Sequence, residues 1–218
     1  MYFLNPALPH FPPVVEADED GLLAIGGDLS PERLLLSYRS GIFPWYSVEN
    51  VPFWYAPDPR FVLFPEELKI SKSMKQILQR GDFQFKVNTA FENVIRQCAT
   101  IKRKAGNETW ISEDFILAYT HLHRQGHALS AEAWQDGKLV GGLYGVLLDG
   151  IFCGESMFSE VSNASKFAFI SLVQALQQKG IKLIDCQVYT AHLESLGARN
   201  ISRQQYMALL GSIGGGAS

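Results

Sequence analysis

Two stretches of sequence decide the fold: Gly141-Gly142-Leu143-Tyr144-Gly145 continuing to Phe152-Cys153-Gly154-Glu155-Ser156-Met157-Phe158-Ser159, and Leu183-Ile184-Asp185-Cys186-Gln187-Val188. Both are predicted to be buried strands, and each carries a carboxylate, Glu155 or Asp185, among apolar residues. A carboxylate taken out of water destabilises the fold unless it is paired or used. The two acids are therefore satisfied by a buried base or by backbone donors, or they belong to a functional site.

The spacing of Asp185 and Gln187 favours a functional site. In a strand, residues two apart lie on the same face, so these two side chains are predicted to lie side by side, where each can orient the other. Two acids on strands that are neighbours, one of them beside an amide, indicate a site more strongly than a single buried acid does. Burial for purely structural reasons remains the alternative.

The elements around these stretches predict the architecture. Tight turns at Asp136-Gly137 and Asp149-Gly150 join three strands, because Asp-Gly between apolar runs is a strong hairpin signal. A helix follows over residues 162–179, and then a strand over 181–188. This order predicts an α/β (α+β) protein whose mixed sheet carries helices on its faces.

Several segments that precede the three strands in the chain begin and end with residues typical of helix termini. Ser30 and Pro31 begin a helix that Gly41 ends. Further helices are predicted at 71–80, at 89–98 with a Thr89-x-x-Glu92 capping box, and at 112–124, with a strand near 83–87. We therefore expect a small N-terminal domain over residues 1–62, a larger domain over 63–210 and a disordered Gly-rich tail over 211–218.

Composition restricts the class of protein. The chain has 218 residues, 47% of them hydrophobic, and no apolar run approaches the roughly 20 residues of a membrane span. The first residues lack the basic head and cleavage site of a signal peptide. The three cysteines form no Cys-x-x-Cys pair and lie in apolar runs. We expect a monomeric cytoplasmic protein with reduced cysteines and no membrane contact.

The charge is unevenly distributed along the chain. Residues 1–58 carry a net charge of −6 and residues 59–104 a net charge of +6, within a chain of −3 overall. A basic segment inside an acidic protein suggests a local site for a polyanion, although a solvated helix face is the alternative. The candidate polyanion-binding residues are Lys69, Lys72, Lys75, Arg80, Lys102, Arg103 and Lys104.

Other chemistries find little support. His121, His123 and His127 have loose metal-ligand spacing, but neither a Cys nor an acid completes the set, so we expect no metal. Cys153 and Cys186 lack a paired His that would activate them. The Gly26-Gly27-Asp28 turn is not followed by Lys and Ser or Thr, so it is not a phosphate loop. No cofactor is expected.

The predicted order of strands and helices is similar to the core of GNAT-type N-acetyltransferases. Those enzymes receive a pyrophosphate at a Gly-rich, basic turn before the helix that follows the hairpins. Here that turn is Ser159-Glu160-Val161-Ser162-Asn163-Ala164-Ser165, which has no glycine and contains an acid. The likeness suggests acyl transfer to an amine, but the turn disfavours coenzyme A as the donor.

Seven motifs, over about residues 10–210, resemble those of the leucyl/phenylalanyl-tRNA–protein transferases. They are Gly21-Leu-Leu-Ala-Ile-Gly-Gly-Asp-Leu-Ser30, Gly41-Ile-Phe-Pro-Trp45, Ala56-Pro-Asp-Pro-Arg60, Thr109-Trp110-Ile111, Phe152-Cys-Gly-Glu-Ser-Met-Phe158, Asn163-Ala-Ser-Lys166 and Leu183-Ile-Asp-Cys-Gln187. The resemblance implies a GNAT-like C-terminal domain. It also implies transfer of Leu or Phe, with Met as a further candidate, from aminoacyl-tRNA to the N-terminal Arg or Lys of proteins, which marks them for N-end rule degradation.

The residues suit this chemistry, and the resemblance points to the same catalytic pair. An aminoacyl ester is already activated, and a protein α-amine with a pKa near 8 is partly neutral at cellular pH, so no covalent nucleophile is needed. We expect Gln187 to hold the attacking amine through its carbonyl oxygen. We expect Asp185 to fix the Gln187 amide and to stabilise the charge that develops on nitrogen.

The candidate substrate-binding residues surround this pair. Glu155 is expected to attract the cationic acceptor terminus or to hold the amino group of the transferred residue. A pocket for Leu or Phe is predicted from residues of the third strand and the following helix, namely Phe152, Met157, Phe158, Phe167, Phe169 and Ile170. Gly154 is a further candidate substrate-binding residue. Trp45 and Trp110 are expected to stack on the terminal adenosine. For the aromatic and apolar residues, an ordinary place in the core is the alternative.

Two other functions remain open from the sequence. The first is an acyl-CoA-dependent N-acyltransferase, which would use the same fold. The turn at residues 159–165 disfavours it, because that turn has no glycine and contains an acid. A non-catalytic module that binds RNA or basic N-terminal peptides would need no acid and amide at the centre of a sheet, and the pair Asp185 and Gln187 speaks against that.

Overall fold

The computed structural model describes residues 1–48, 51–100 and 111–214. In that part of the chain the strands are β1 Tyr2–Leu4, β2 Leu22–Gly26, β3 Phe43–Val48, β4 Val51–Tyr55, β5 Arg60–Leu63, β6 Gln84–Val87, β7 Ala128–Gln135, β8 Lys138–Leu148, β9 Ile151–Ser159, β10 Leu183–Gln187 and β11 Arg199–Ile201. The α-helices are α1 Pro31–Arg39, α2 Lys72–Arg80, α3 Phe91–Thr100, α4 Glu113–Arg124, α5 Ala164–Gln178, α6 Ala191–Glu194 and α7 Arg203–Gly214.

The large sheet has seven strands in the order β11-β5-β10-β9-β8-β7-β6. Strands β9 and β10 run parallel, while the other neighbours in this sheet are antiparallel. The predicted turns join β7 to β8 and β8 to β9, and Asp136 and Asp149 adopt φ angles of 50° and 40° ahead of glycines that are also left-handed. Because β9 and β10 are parallel, α5 crosses over the sheet between them. This mixed sheet confirms the α/β fold class.

The small sheet has four strands in the order β1-β2-β4-β3. The sequence predicted the helix here but not the strands. Ser30 caps α1 by accepting the backbone N–H of Arg33, and Pro31 is the first helical residue. A Cβ on Gly27, whose φ is 76°, would lie 2.9 Å from Nε of the buried Arg33, so this turn requires glycine.

Two further predictions are corrected by the structure. The capping box at Thr89 and Glu92 does not form, because the buried carboxylate of Glu132 accepts the Thr89 and Ala90 N–H groups at 2.8 Å. Glu92 instead pairs with Arg96 one turn along α3. Residues 211–214, predicted as part of a disordered tail, complete α7. Residues 215–218 lie outside the described part of the chain.

The N-terminal segment and the large sheet share one hydrophobic core. Tyr38 of α1, Trp54 of β4 and Val146 of β8 are almost completely buried in the same cluster. Strand β5 belongs to the large sheet and spans residues 62 and 63, where the sequence predicted the domain boundary. In the described residues no helix is both long and apolar enough to cross a membrane.

Candidate active site

A cavity of about 450 Å³ opens against the parallel pair β9 and β10. Its polar lining includes Glu155 of β9 and Gln187 of β10, and α5 and α6 supply further walls. The other lining residues are Pro44, Trp45, Leu143, Gly154, Ser156, Met157, Ser165, Phe169, Ile184, Asp185, Cys186, Val188, Thr190, His192 and Leu193. The two acids and the amide singled out from the sequence therefore meet at one cavity.

Asp185 is fully buried, and both of its oxygens are occupied. Oδ1 accepts Arg60 Nε at 2.9 Å and the backbone N–H of Gln187 at 2.9 Å. Oδ2 accepts Arg60 Nη2 at 2.7 Å and the Tyr206 hydroxyl at 2.9 Å. The carboxylate thus holds the backbone of Gln187 rather than its side-chain amide.

Arg60 is the buried base that balances Asp185. Its Nη1 donates to the carbonyl oxygen of Gly41 at 3.1 Å, and its guanidinium lies 4.7 Å from the Phe43 ring centroid and 4.6 Å from that of Tyr206. Burial opposes the charge, but the carboxylate of Asp185 outweighs that effect and raises the pKa of Arg60 above its ordinary value. The Arg60 guanidinium therefore stays charged, and it contacts Asp185, the Gly41 carbonyl oxygen and two aromatic rings.

Gln187 lies at an irregularity in β10. The register against β5 shifts between Asp185 and Gln187, and Gln187 has a φ of 64°, a left-handed conformation that is uncommon for a residue other than glycine. The backbone of β10 is therefore not that of a regular strand at this point, although Asp185 and Gln187 both line the same cavity. The bulge turns the Gln187 amide toward β9, where Nε2 donates to Glu155 Oε1 at 2.7 Å.

Glu155 is the centre of a second hydrogen-bond cluster. Besides the Gln187 amide, Tyr38 of α1 donates to Oε1 at 2.7 Å and Tyr119 of α4 donates to Oε2 at 3.1 Å. Burial raises the pKa of Glu155 to about 7, and these three hydrogen bonds limit the rise. A carboxyl group with this pKa changes its charge in the physiological range.

The apolar lining of the cavity comes from β3 of the small sheet and from β8, β9, β10, α5 and α6. Met157, Phe169 and Gly154, three of the candidate substrate-binding residues, line this cavity. A Cβ on Gly154 would make only ordinary contacts with protein atoms, at 3.7 Å or more. Phe152 and Phe158, in contrast, are buried in the core and do not line this cavity.

Trp45 stands at the rim formed by β3. It is partly exposed, and its ring meets Tyr55 edge-on at 5.2 Å between centroids. An aromatic ring that packs against a second ring and remains partly exposed to solvent can stack on a base. Trp110, the second predicted stacking residue, lies outside the described residues.

Only four of the seven residues of the predicted polyanion site lie within the described part of the chain. Lys69 precedes α2, and Lys72, Lys75 and Arg80 lie on the exposed side of that helix, opposite the buried Met74 and Ile77. Arg80 is already paired with Asp82 at 2.6 Å. Lys102, Arg103 and Lys104 lie outside the described residues.

Cys153 and Cys186 are buried as neutral thiols. Burial raises the pKa of Cys153 and of Cys186 well above the ordinary thiol value. Across residues 1–48, 51–100 and 111–214, no three His, Cys, Asp or Glu side chains are grouped so that they could hold a metal ion.

Sequence reasoning missed the residues that hold the two acids, which are Arg60, Tyr38, Tyr119 and Tyr206. One of them carried a signal, since Arg60 stands directly before the apolar run Phe61-Val62-Leu63 and a base in a buried strand calls for an acid. The tyrosines lie in amphipathic helices, where a tyrosine is common both in a core and at a surface. The sequence therefore does not indicate that they bind a buried acid.

A mixed sheet with hairpins, a crossover helix and a cavity against its parallel strands defines the chain as an α/β protein. Two family models match the chain: "Leucyl/phenylalanyl-tRNA protein transferase" over residues 62–211 and its "N-terminal domain" over residues 27–58. The chain belongs to the leucyl/phenylalanyl-tRNA protein transferase family. This confirms the resemblance drawn from the motifs and the expectation of an aminoacyltransferase.

Two relatives of known family match nearly the whole chain. A leucyl/phenylalanyl-tRNA–protein transferase from Flavobacterium johnsoniae is 58% identical over 97% of this chain and all of its own length. One from Christiangramia forsetii is 54% identical over 96% of this chain and all of its own length. Among solved structures, a GCN5-related N-acetyltransferase-like protein from Streptococcus suis is 15% identical, with a TM-score of 0.38 over 66% of this chain and 59% of that protein.

Proposed function

We propose that this chain moves Leu or Phe from aminoacyl-tRNA to the N-terminal Arg or Lys of acceptor proteins. The observation that carries the proposal is the cavity in which the Glu155 carboxylate and the Gln187 amide face an apolar wall. An apolar wall suits the side chain of Leu or Phe, and a carboxylate suits a cationic terminus. Both substrates of a transfer reaction thus find a complementary surface in one cavity.

The apolar wall receives the side chain of the transferred residue. Leu143, Met157 and Phe169 line it, with Ile184 and Leu193 nearby. Met157 is unbranched, so it can adjust to side chains of different shape, including that of Met. Trp45 at the rim stacks on the terminal adenosine, which orients the ester toward Gln187.

The transfer itself needs alignment and a proton acceptor near the amine. The α-amine nitrogen attacks the ester carbonyl carbon, the new amide bond forms, and the ester C–O bond breaks. One amine proton ends on the released ribose hydroxyl. Gln187 Nε2 is bound to Glu155, so its carbonyl oxygen is the atom that remains to accept an N–H of the attacking amine.

Asp185 acts through Gln187 in this proposal. Its oxygens bind Arg60, Tyr206 and the Gln187 backbone, and its side chain is fully buried. It therefore maintains the left-handed backbone of Gln187 that aims the amide at Glu155. The charge available to the cationic acceptor comes from Glu155, since Arg60 already balances Asp185.

The lysines beside and on α2 bind the body of the tRNA. Lys69, Lys72 and Lys75 are exposed, so their ammonium groups are accessible to phosphates. Phosphate contacts of this kind do not read sequence, which suits an enzyme that accepts differently charged tRNAs. We propose further that the protein acts as a monomer in the cytoplasm, with residues 1–62 as a small N-terminal domain.

The experiment supplies purified protein with labelled leucyl-tRNA and peptides that differ only in their first residue. Label should pass to peptides that begin with Arg or Lys, and much more slowly to those that begin with Ala or Gln. A parallel reaction with acetyl-CoA as donor tests the N-acyltransferase alternative. Equal rates for all peptides, or transfer from acetyl-CoA alone, would overturn the proposal.

A further inference from the structure

Tyr38 and Tyr119 reach the same carboxylate from two different helices. Both side chains are at most 1% exposed, and their hydroxyls contact each other as well as Glu155. Glu155 Oε1 accepts both Tyr38 and the Gln187 amide, each at 2.7 Å. The tyrosines and Gln187 are thus linked through one acid.

The charge state of Glu155 decides which end of the Gln187 amide faces it. An ionised carboxylate only accepts hydrogen bonds, so the NH₂ group must point to it and the carbonyl oxygen must point elsewhere. A protonated Glu155 can donate, and the amide can then turn its carbonyl oxygen to Glu155 and its NH₂ group away. That second orientation presents donors to an amine whose own N–H groups need an acceptor.

We propose that Tyr38 and Tyr119 are positioning residues for the transfer reaction, because they hold the Glu155 carboxylate as acceptor of the Gln187 amide and so keep the Gln187 carbonyl oxygen available to the attacking amine. The inference rests on the proposed function of Gln187 and assigns a role to two residues outside the cavity lining. Tyr38 lies in α1, so the N-terminal segment takes part in positioning the site.

The surroundings of Glu155 determine its titration. Tyr38 faces it from α1, Tyr119 from α4, and Gln187 and Asp185 from β10, while Cys153 precedes it on β9. Asp185 is balanced by Arg60, and burial raises the pKa of both tyrosines well above the ordinary value, so that they remain protonated donors. Because their hydrogen bonds lower the pKa of Glu155, removing a hydroxyl raises it.

The test compares Tyr38→Phe and Tyr119→Phe with the wild type in single-turnover transfer to an Arg-initial peptide, from pH 6 to pH 8.5. Tyr2→Phe is the matched control, since it removes a hydroxyl that donates to Glu16 at the N-terminus. The acceptor amine and the spontaneous hydrolysis of the ester affect all variants alike, so the ratio of variant to wild-type rate isolates Glu155.

A rise of about one unit in the pKa of Glu155 is expected for the loss of one charge-assisted hydrogen bond. The Phe variants should then be about tenfold slower than the wild type at pH 6 and less than about twofold slower at pH 8.5. Tyr2→Phe should match the wild type throughout. Glu155→Gln has no charge to titrate, so its rate should follow only the acceptor amine.

Three results would overturn the inference. The first is a rate ratio for both Phe variants that is the same at every pH, which is the behaviour of a purely structural role. The second is a wild-type pH profile that Glu155→Gln retains unchanged. The third is wild-type rates in both Phe variants. In each of these cases the wild type still transfers the amino acid. If the proposed function itself were wrong, neither the wild type nor any variant would transfer it. Tyr119→Phe tests the inference independently if Tyr38→Phe does not fold.

Discussion

Arg60 and Asp185 form a two-point ion pair that is completely buried, with Nε 2.9 Å from Oδ1 and Nη2 2.7 Å from Oδ2. The two residues are 125 positions apart in the chain and lie on neighbouring antiparallel strands, β5 and β10. This pair holds Gln187, since the same Oδ1 accepts the Gln187 backbone N–H. The stability of the sheet and the geometry of the site therefore depend on one interaction.

Replacing one partner of this pair should destabilise the protein strongly. Arg60→Met leaves an uncompensated buried carboxylate, and the expected loss is about 3–5 kcal/mol in the free energy of unfolding, measured with urea. Arg60→Met combined with Asp185→Leu removes both charges and should recover a large part of that loss. A single variant as stable as the wild type would contradict the pair's role.

Gln187→Ala should lower the transfer rate while leaving the fold and tRNA affinity nearly unchanged. Its side chain touches the reacting amine in our proposal, and loss of an interaction made mainly in the transition state lowers turnover rather than binding. We expect a decrease of at least about tenfold in single-turnover transfer, which is about 1.4 kcal/mol in the barrier. A rate within twofold of the wild type would remove Gln187 from the mechanism.

The sequence predicted those structural features that are determined by a few adjacent residues, and it missed those that depend on residues far apart in the chain. The helix ends at Ser30 and Ser71 and both Asp-Gly hairpins were predicted, because each feature is determined by a few adjacent residues. The small sheet was missed because prolines lie within β3 and β4, and a proline argues against a strand when its edge or bulge position is unknown.

The residues of the site were likewise predicted only where a few adjacent residues marked them. Glu155 and Asp185 were found because a carboxylate in an apolar run is conspicuous in one segment. Their partners were not found, since Tyr38 is 117 residues from Glu155 and no local pattern marks such an interaction. The bulge at Gln187 was also missed, because strand alternation alone predicts a regular backbone.

The lysines of the proposed tRNA surface can be tested by the salt dependence of binding. Changing Lys69, Lys72 and Lys75 together to Ala should weaken tRNA binding about equally for different tRNAs. It should also flatten the slope of log K against log salt, by about 0.7–0.9 for each phosphate that is no longer neutralised. The matched control changes the exposed Lys138, Lys179 and Lys182 to Ala, which removes the same charge elsewhere. Equal slopes for both triple variants would return the first three lysines to an ordinary solvated surface.

Glu155 should also make folding stability depend on pH. Its pKa is raised to about 7 in the folded protein from about 4.5 in the unfolded chain, so the native state binds the proton more tightly. Its contribution to stability is therefore complete below about pH 4.5 and is lost as the pH rises to about 7. The wild type should lose stability relative to Glu155→Gln across that window, as measured by thermal unfolding at a series of pH values. Parallel curves for the two proteins would place the pKa of Glu155 elsewhere.

Acceptor choice gives the sharpest test of the cavity. Arg60 balances Asp185, so Glu155 is the acid whose charge remains for the acceptor, and an Arg-initial peptide brings two positive charges within a few ångströms of each other. Opposite charges 4 Å apart attract by about 1 kcal/mol in water and about 4 kcal/mol at a protein surface. Glu155→Gln should therefore reduce the ratio of Arg-initial to Ala-initial transfer rates at least about tenfold at pH 8, where Glu155 is ionised in the wild type. Glu66→Gln removes the same charge from an exposed position and should leave the ratio unchanged. If Glu155→Gln slows both peptides equally, Glu155 orients Gln187 without selecting the acceptor, and the preference for a basic first residue must arise from another part of the protein.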